Sequence, residues 1–212
     1  MTAPAKRPHH HGSLKADLVS YALSLARMGT IDDMSLRRAA RDLNVSPAAV
    51  YRHFADKKAL FEALALQGFD MLAEAFDTAA PLAFPPRTEE EARDRFMAIG
   101  AAYVGFATAH YGLWRLMFGP YGRGALPPDG RPNTYLWLSR ALEDLHRTGV
   151  IRKPGPPEEQ FTWSAIHGLS DLTAAMAAQG QDGAVAPSAT AARPDDSQIR
   201  HHCALILRAL AR

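Results

Sequence analysis

Residues 35–57, SLRRAARDLNVSPAAVYRHFADK, constrain this chain more than any other stretch. Ser35 can cap a helix by accepting a free backbone N–H through its hydroxyl. Leu36, Ala39, Ala40 and Leu43 then fall at i, i+3, i+4 and i+7, the stripe of a helix with one buried face. Asn44 stands where the chain must turn, and Asn is among the few non-Gly residues that tolerate the left-handed conformation. Ser46 followed by Pro47 signals a second helix start. That helix buries Val50 and Phe54 and leaves Ala48, Ala49, Tyr51, Arg52 and His53 outside. The pattern is a helix-turn-helix, whose second helix is suited to a DNA major groove.

An ordinary helical hairpin is the alternative, but its outer helix would carry the Glu and Lys of a solvated surface. Here the exposed positions are small or hydrogen-bonding. Small residues let a backbone approach base edges, and alanine methyls can touch thymine methyls. Tyr51, His53 and Lys57 place donors suited to phosphate oxygens.

The run Tyr51-Arg52-His53-Phe54, followed by Asp56-Lys57-Lys58-Ala59-Leu60-Phe61, together with Ala40, Asn44, Val45, Ser46 and Val50, resembles the TetR/AcrR family of transcriptional regulators. The resemblance covers about the first seventy residues; family members typically carry Gly where this chain has Asn44 and Ala48. It implies that Ser35, Tyr51, His53 and Lys57 hold phosphates, while Ser46, Ala48, Ala49 and Arg52 lie nearest the bases. Arg52 alone among these has a bidentate fork.

Charge distribution agrees. Residues 1–70 hold ten Lys and Arg against seven Asp and Glu, whereas the remainder holds fourteen against fifteen. The positive excess sits on the module that would meet DNA. No apolar run approaches the roughly 18 residues that cross a bilayer, and the start of the chain lacks the apolar segment of a signal peptide. The single cysteine, Cys203, excludes an internal disulfide and suits a reducing cytoplasm. It reads as a small packing residue on an amphipathic last helix.

The expected fold is all-α. A flexible basic arm (1–13) precedes a three-helix DNA-binding domain (14–62), and a long fourth helix leads into a helical ligand-binding and dimerisation domain (63–212). About nine helices are expected. The first runs from Leu14 to Met28 with Ser13 as cap, and the fourth from Asp56 to near Ala80. Thr88 to Glu91 reads as a capping box. Helices follow around 111–118, 134–148, 158–179 and 198–211. Residues 119–133, GPYGRGALPPDGRPN, read as a loop, and 180–196 as a low-complexity linker. His9, His10 and His11 read as part of a native arm, with Lys6 and Arg7 able to reach DNA.

Phe106, His110, Trp114, Met117, Phe118, Trp137, Trp163 and His167 form an aromatic and methionine-rich set spread over several helices. Packing explains many of them, but the resemblance implies an apolar cavity for a small-molecule effector among these helices. Trp163, His167 and Gly168 are similar to the Trp-His-Gly signature of one class of TetR carboxy-terminal domain. Asp171 continues the same face, so the face suits either an Asp171–His167 hydrogen bond or contact with a ligand. The resemblance also implies a homodimer through the last two helices, with Gly168, Ala175, Ala178, Leu205, Ile206 and Leu210 at the interface.

The resulting expectation is a regulator, commonly a repressor, that binds a palindromic operator and is released by an effector, without cofactor or metal. Enzyme chemistry finds no support: there is no His-Glu-x-x-His, no clustered cysteine and no nucleophile elbow. A helical partner-binding or sensor protein without DNA-binding activity is the alternative.

Overall fold

The computed structural model describes residues 14–125, 134–179 and 196–211. Among these there are ten α-helices, one short 3-10 turn at Ile31–Asp33 and no strand. The helices are α1 (Leu14–Arg27), α2 (Leu36–Asp42), α3 (Pro47–Tyr51), α4 (Lys57–Ala79), α5 (Glu89–Ala109), α6 (Tyr111–Phe118), α7 (Pro120–Ala125), α8 (Tyr135–Arg147), α9 (Pro156–Gln179) and α10 (Asp196–Leu210). The expected Ser13 cap, the histidine arm and the linker at 180–195 lie outside the described residues.

Local signals set most boundaries. The Ser35 hydroxyl accepts from Arg38 N–H at 3.1 Å, and that of Ser46 from Ala49 N–H at 3.2 Å. Asn44 takes φ 53°. Around it Asn44 N–H reaches Arg41 O and Val45 N–H reaches Ala40 O, the paired bonds that close a helix on a left-handed residue. The Asp56 carboxylate caps α4 through Ala59 N–H at 2.7 Å. Thr88 and Glu91 form the full reciprocal capping box at the start of α5.

The chain divides into two compact units. Among the described residues, the first comprises 14–66 together with Gly112–Ala125. Its core is built from Leu18, Ala22 and Leu25 of α1, Leu36, Ala39 and Ala40 of α2, Val50, Phe54, and Leu60, Phe61 and Leu64 of α4. α6 and α7 complete this unit. A side chain at Gly112 would strike the Ala26 carbonyl, and one at Gly122 the Met117 carbonyl. Glycine is therefore what lets α6 approach the end of α1 and α7 fold back on α6. Arg115 pairs with Asp32 at 3.1 Å, and the Tyr121 ring meets Phe61 edge-on at 5.0 Å.

Part of the expected 119–133 loop is thus a helix. Pro120 opens α7, a position where proline's missing N–H costs nothing. Glycines that read as breakers are there for close packing. Trp114 and Met117 are buried within this amino-terminal unit. Phe118 also belongs to it, with its ring 4.4 Å from that of Trp114.

The second unit holds residues 67–79 of α4, α5, Tyr111, and α8, α9 and α10. α5 is its centre and packs against α8, α9 and α10. Phe69, Leu72, Phe76, Phe96, Ile99, Tyr103, Leu142, Leu145, Ile166, Ile199, Cys203, Ile206 and Leu207 are buried. Burial also raises the Cys203 thiol to about 11, which leaves it un-ionised and inert, as a packing residue should be. Ile206 and Leu210 are buried in the chain's own core, which corrects their placement at an outer interface. Both lie on the inward face of an amphipathic helix whose periodicity alone does not say what covers it.

A buried ion pair ties this unit together. Arg95 and Asp144 are 8% and 3% exposed and lie 3.6 Å apart. The Arg95 guanidinium also donates to the carbonyls of Phe84, Ala80 and Pro81. Asp144 accepts from Arg147 at 2.9 Å, and Arg147 in turn holds Pro86 O at 2.6 Å. The proline-rich link between α4 and α5 has few backbone donors of its own, so arginine side chains take up its carbonyls.

Candidate DNA-binding surface and sensing cluster

The outer surface of α3 carries the first candidate site. Val50 and Phe54 are buried while Ser46, Pro47, Ala48 and Arg52 are exposed and Ala49 and His53 half-buried. Tyr51 stands out with 45% of its surface accessible. The helix itself ends at Tyr51, so Arg52 is its C-cap and His53 belongs to the turn beyond. Arg52 N–H still reaches Ala48 O at 3.3 Å, which fixes its backbone against the helix end. An almost bare helix flanked by hydrogen-bonding ends can approach a groove closely.

The phosphate-facing candidates are placed around this helix. Ser35 is exposed, and because its oxygen accepts from the backbone its hydroxyl hydrogen is still available to donate. Lys57 Nζ donates to Asp32 O at 2.8 Å and lies 4.9 Å from the centre of the Phe61 ring. This anchors a side chain that otherwise has large rotamer freedom. Of its three donors two are left over for a phosphate.

Two cations belong beside them that the sequence pattern did not single out. Arg37 and Arg41 are exposed on α2 and enter no ion pair among the described residues. Arg38, by contrast, pairs with Asp42 at 3.6 Å, and Lys58 pairs with Glu62. The i, i+4 spacing of Arg37 and Arg41, away from Leu36, Ala39 and Ala40, was the available signal.

The second candidate site is a ring cluster in the carboxy-terminal unit. Phe76 of α4 stacks on Tyr103 of α5 at 6.0 Å and tilts against Trp137 of α8 at 6.0 Å. Trp163 and His167 of α9 lie 5.6 Å apart, and His167 is 6.2 Å from Tyr103. Trp163 Nε1–H donates to the Tyr103 oxygen at 3.1 Å, and that hydroxyl lies 3.0 Å from His167 Nδ1. Having accepted from the indole, Tyr103 has its own hydrogen to give to Nδ1. Burial pushes the Tyr103 phenol up and pulls the His167 imidazole down, with Asp171 partly opposing the latter. Both changes favour uncharged rings. Phe106 and His110 lie 4.8 Å apart in the same unit.

Of the eight residues expected at an effector pocket, five therefore lie in the carboxy-terminal unit: Phe106, His110, Trp137, Trp163 and His167. Trp114, Met117 and Phe118 belong to the amino-terminal unit. Tyr103 and Phe76 are the members that the sequence reading did not assign to a site. Their inward positions at helical spacing read only as core.

These features define a helix-turn-helix protein with a separate helical carboxy-terminal unit. Residues 18–64 match the family model described as bacterial regulatory proteins, tetR family, and residues 96–211 match the tetracyclin repressor-like C-terminal domain. The chain belongs to the TetR family of bacterial transcription regulators. A solved structure from Rhodococcus sp. RHA1, described as a protein of unknown function, is 32% identical over 98% of this chain and 100% of its own, with TM-score 0.70. A bacterial regulatory protein in the tetR family from Rhodococcus RHA1 is 24% identical over 93% and 96%, TM-score 0.63. A TetR family transcription regulator from Marinobacter aquaeolei VT8 shares the fold at 15% identity over 94% and 96%, TM-score 0.53. No curated protein matches the chain. Among the described residues, no helix is long and apolar enough to cross a membrane.

Proposed function

We propose that this chain is an effector-responsive repressor that binds a palindromic operator as a homodimer. The observation that carries the reading is the bare outer surface of α3, with Ala48 and Ala49 between capped and cationic ends. One helix-turn-helix reads only a few base pairs, so two copies about 34–36 Å apart, or a multiple of that, would read a twofold site. Ser46, Ala48, Ala49 and Arg52 lie against bases in this reading. Ser35, Tyr51, His53 and Lys57 grip phosphates, joined by Arg37 and Arg41.

The homodimer uses the outer faces of α9 and α10. Leu172 is 66% exposed, Phe161, Met176 and Leu205 are also exposed, and Gly168 has open space where a side chain would project. Ala175 and Ala178 lie on the same helix and keep its surface low. An apolar face of this extent on one helix pair supports burial against a second copy.

The effector occupies the carboxy-terminal unit near Tyr103, Trp137, Trp163 and His167, the last two belonging to a Trp-His-Gly class of sensing domain. Binding there shifts the population toward a form unable to engage the operator. α4 contributes residues to both units, which makes it the element through which the two equilibria are linked. Coupling of about 1–3 kcal/mol is typical of such linkage.

Binding of variants to the DNA upstream of the chain's own gene tests the contact assignments. Tyr51→Ala is expected to weaken binding to all sequences about equally, by roughly 1 kcal/mol as for a single phosphate hydrogen bond. Arg52→Ala should instead flatten the preference among operator variants at one position per half-site, by about 1–3 kcal/mol. Equal effects of both substitutions on every sequence would remove Arg52 from the base-reading set.

A further inference from the structure

The ring cluster contains one polar atom whose chemistry the fold leaves unanswered. Trp137 Nε1 is buried and has no hydrogen-bond partner among the described residues. Its counterpart on α9 behaves differently, since the Trp163 indole donates to Tyr103. A buried donor without an acceptor costs about 1–3 kcal/mol. Such groups are few in native structures, and each calls for an explanation, an acceptor brought from outside the fold among them. Here the orphan indole stands against the Phe76 ring, which itself lies on Tyr103. The neighbours are flat, aromatic and uncharged, and they come from α4, α5 and α8.

We infer that the Trp137 indole N–H is the specificity donor for an uncharged, planar effector bearing a carbonyl acceptor, such as an aromatic ketone or quinone, with Phe76 and Tyr103 against its flat body. This rests on the effector-responsive reading above. The geometry selects each property separately. Aromatic neighbours drawn from three helices favour a partner with an apolar ring of its own. An indole offers a donor and no acceptor, so the ligand must supply a lone pair. A carboxylate would supply one too, but none of the described members of the cluster, Phe76, Tyr103, Trp137, Trp163 and His167, is a lysine or arginine that could balance it. Tyr103 and His167 are held neutral by burial, and the charge felt at His167 comes from Asp171, an acid. An anion would therefore be desolvated without compensation.

The test uses three probes on the full-length protein by isothermal titration calorimetry: 2-acetylnaphthalene, its near-isostere 2-isopropenylnaphthalene, and 2-naphthoate. The ketone and alkene differ only in whether C=O or C=CH2 faces the donor. The wild-type protein is expected to bind the ketone roughly 5- to 10-fold more tightly than the alkene, the worth of one neutral hydrogen bond. Naphthoate should be weakest. In Trp137→Phe the ketone and alkene should converge to within about twofold. Because Phe removes an unanswered donor, the variant should melt at or above the wild-type temperature.

A second readout needs no variant. The Trp137 indole N–H resonance should move downfield with the ketone and stay in place with the alkene. Equal wild-type affinities for the pair, a preference that survives Trp137→Phe, naphthoate as the tightest probe, or no binding of any probe would each overturn the assignment. A ketone that binds as described but leaves DNA affinity unchanged would uphold the assignment and count against the effector reading instead.

Discussion

Asp144→Ala is expected to lower the stability of the carboxy-terminal unit by about 3–5 kcal/mol, because it strands the Arg95 guanidinium without a counter-charge inside the fold. In a chain of this length that corresponds to a fall in Tm of roughly 6–20 °C. The loss is large because Arg95 is a junction. Its donors hold Ala80, Pro81 and Phe84, while Asp144 also orients the Arg147 that holds Pro86. Releasing the carboxylate loosens both arginines at once. A melting curve checks this directly. Replacing both partners with apolar residues of similar size, Arg95→Met with Asp144→Leu, should recover much of the lost stability, since the desolvation cost disappears with the charges. A single Asp144→Ala variant that melts like the wild type would show that the pair adds nothing and that the proline-rich link is held by other means.

Ala48→Glu is expected to weaken DNA binding at least roughly a hundredfold while leaving the fold intact. Placing a carboxylate on the face proposed to meet the duplex would juxtapose like charges, which costs several kcal/mol. The same side chain is harmless to the free protein. Ala48 is exposed in the first turn of α3, where an acidic group interacts favourably with the helix dipole. Melting temperature and DNA affinity should therefore separate cleanly, with Tm moving by no more than about 2 °C. Retained binding by a well-folded Ala48→Glu protein would remove α3 from the DNA interface.

Much of this could be read from residues because the deciding interactions are local. Ser46 caps α3 and Pro47 opens it, Asn44 closes α2 by its own conformational tolerance, and Thr88 with Glu91 caps α5 within a single turn. The bare face of α3 followed from the same periodicity. What escaped the sequence was pairing over distance. Trp114 and Met117 look the same whether they line a sensing site or fill the core of the amino-terminal unit, as they do. Gly122 reads as a helix breaker until the Met117 carbonyl is seen against it.

The same limit applies to the buried polar groups. Arg95 and Asp144 are 49 positions apart and carry no motif, and nothing in the Trp163–His167 spacing announces Tyr103 as the partner of both. On α10 the apolar face was legible, but not that Ile206 and Leu210 are taken up by the chain's own core while Leu205 faces out. The exposed surface of α3 was therefore readable, and the ring cluster drawn from four helices was readable only as a list of ring-bearing residues.

In the proposed dimer the α2–α3 surface of each copy contacts phosphates, and salt dependence measures such contacts most directly. Affinity for the DNA upstream of the chain's own gene should fall linearly in log–log form as salt rises. Two copies, each using the cations and donors around Tyr51, Lys57, Arg37 and Arg41, should give a slope of roughly −5 or steeper. A slope near zero, or no binding at low salt, would contradict the proposal and favour a helical partner-binding protein in its place.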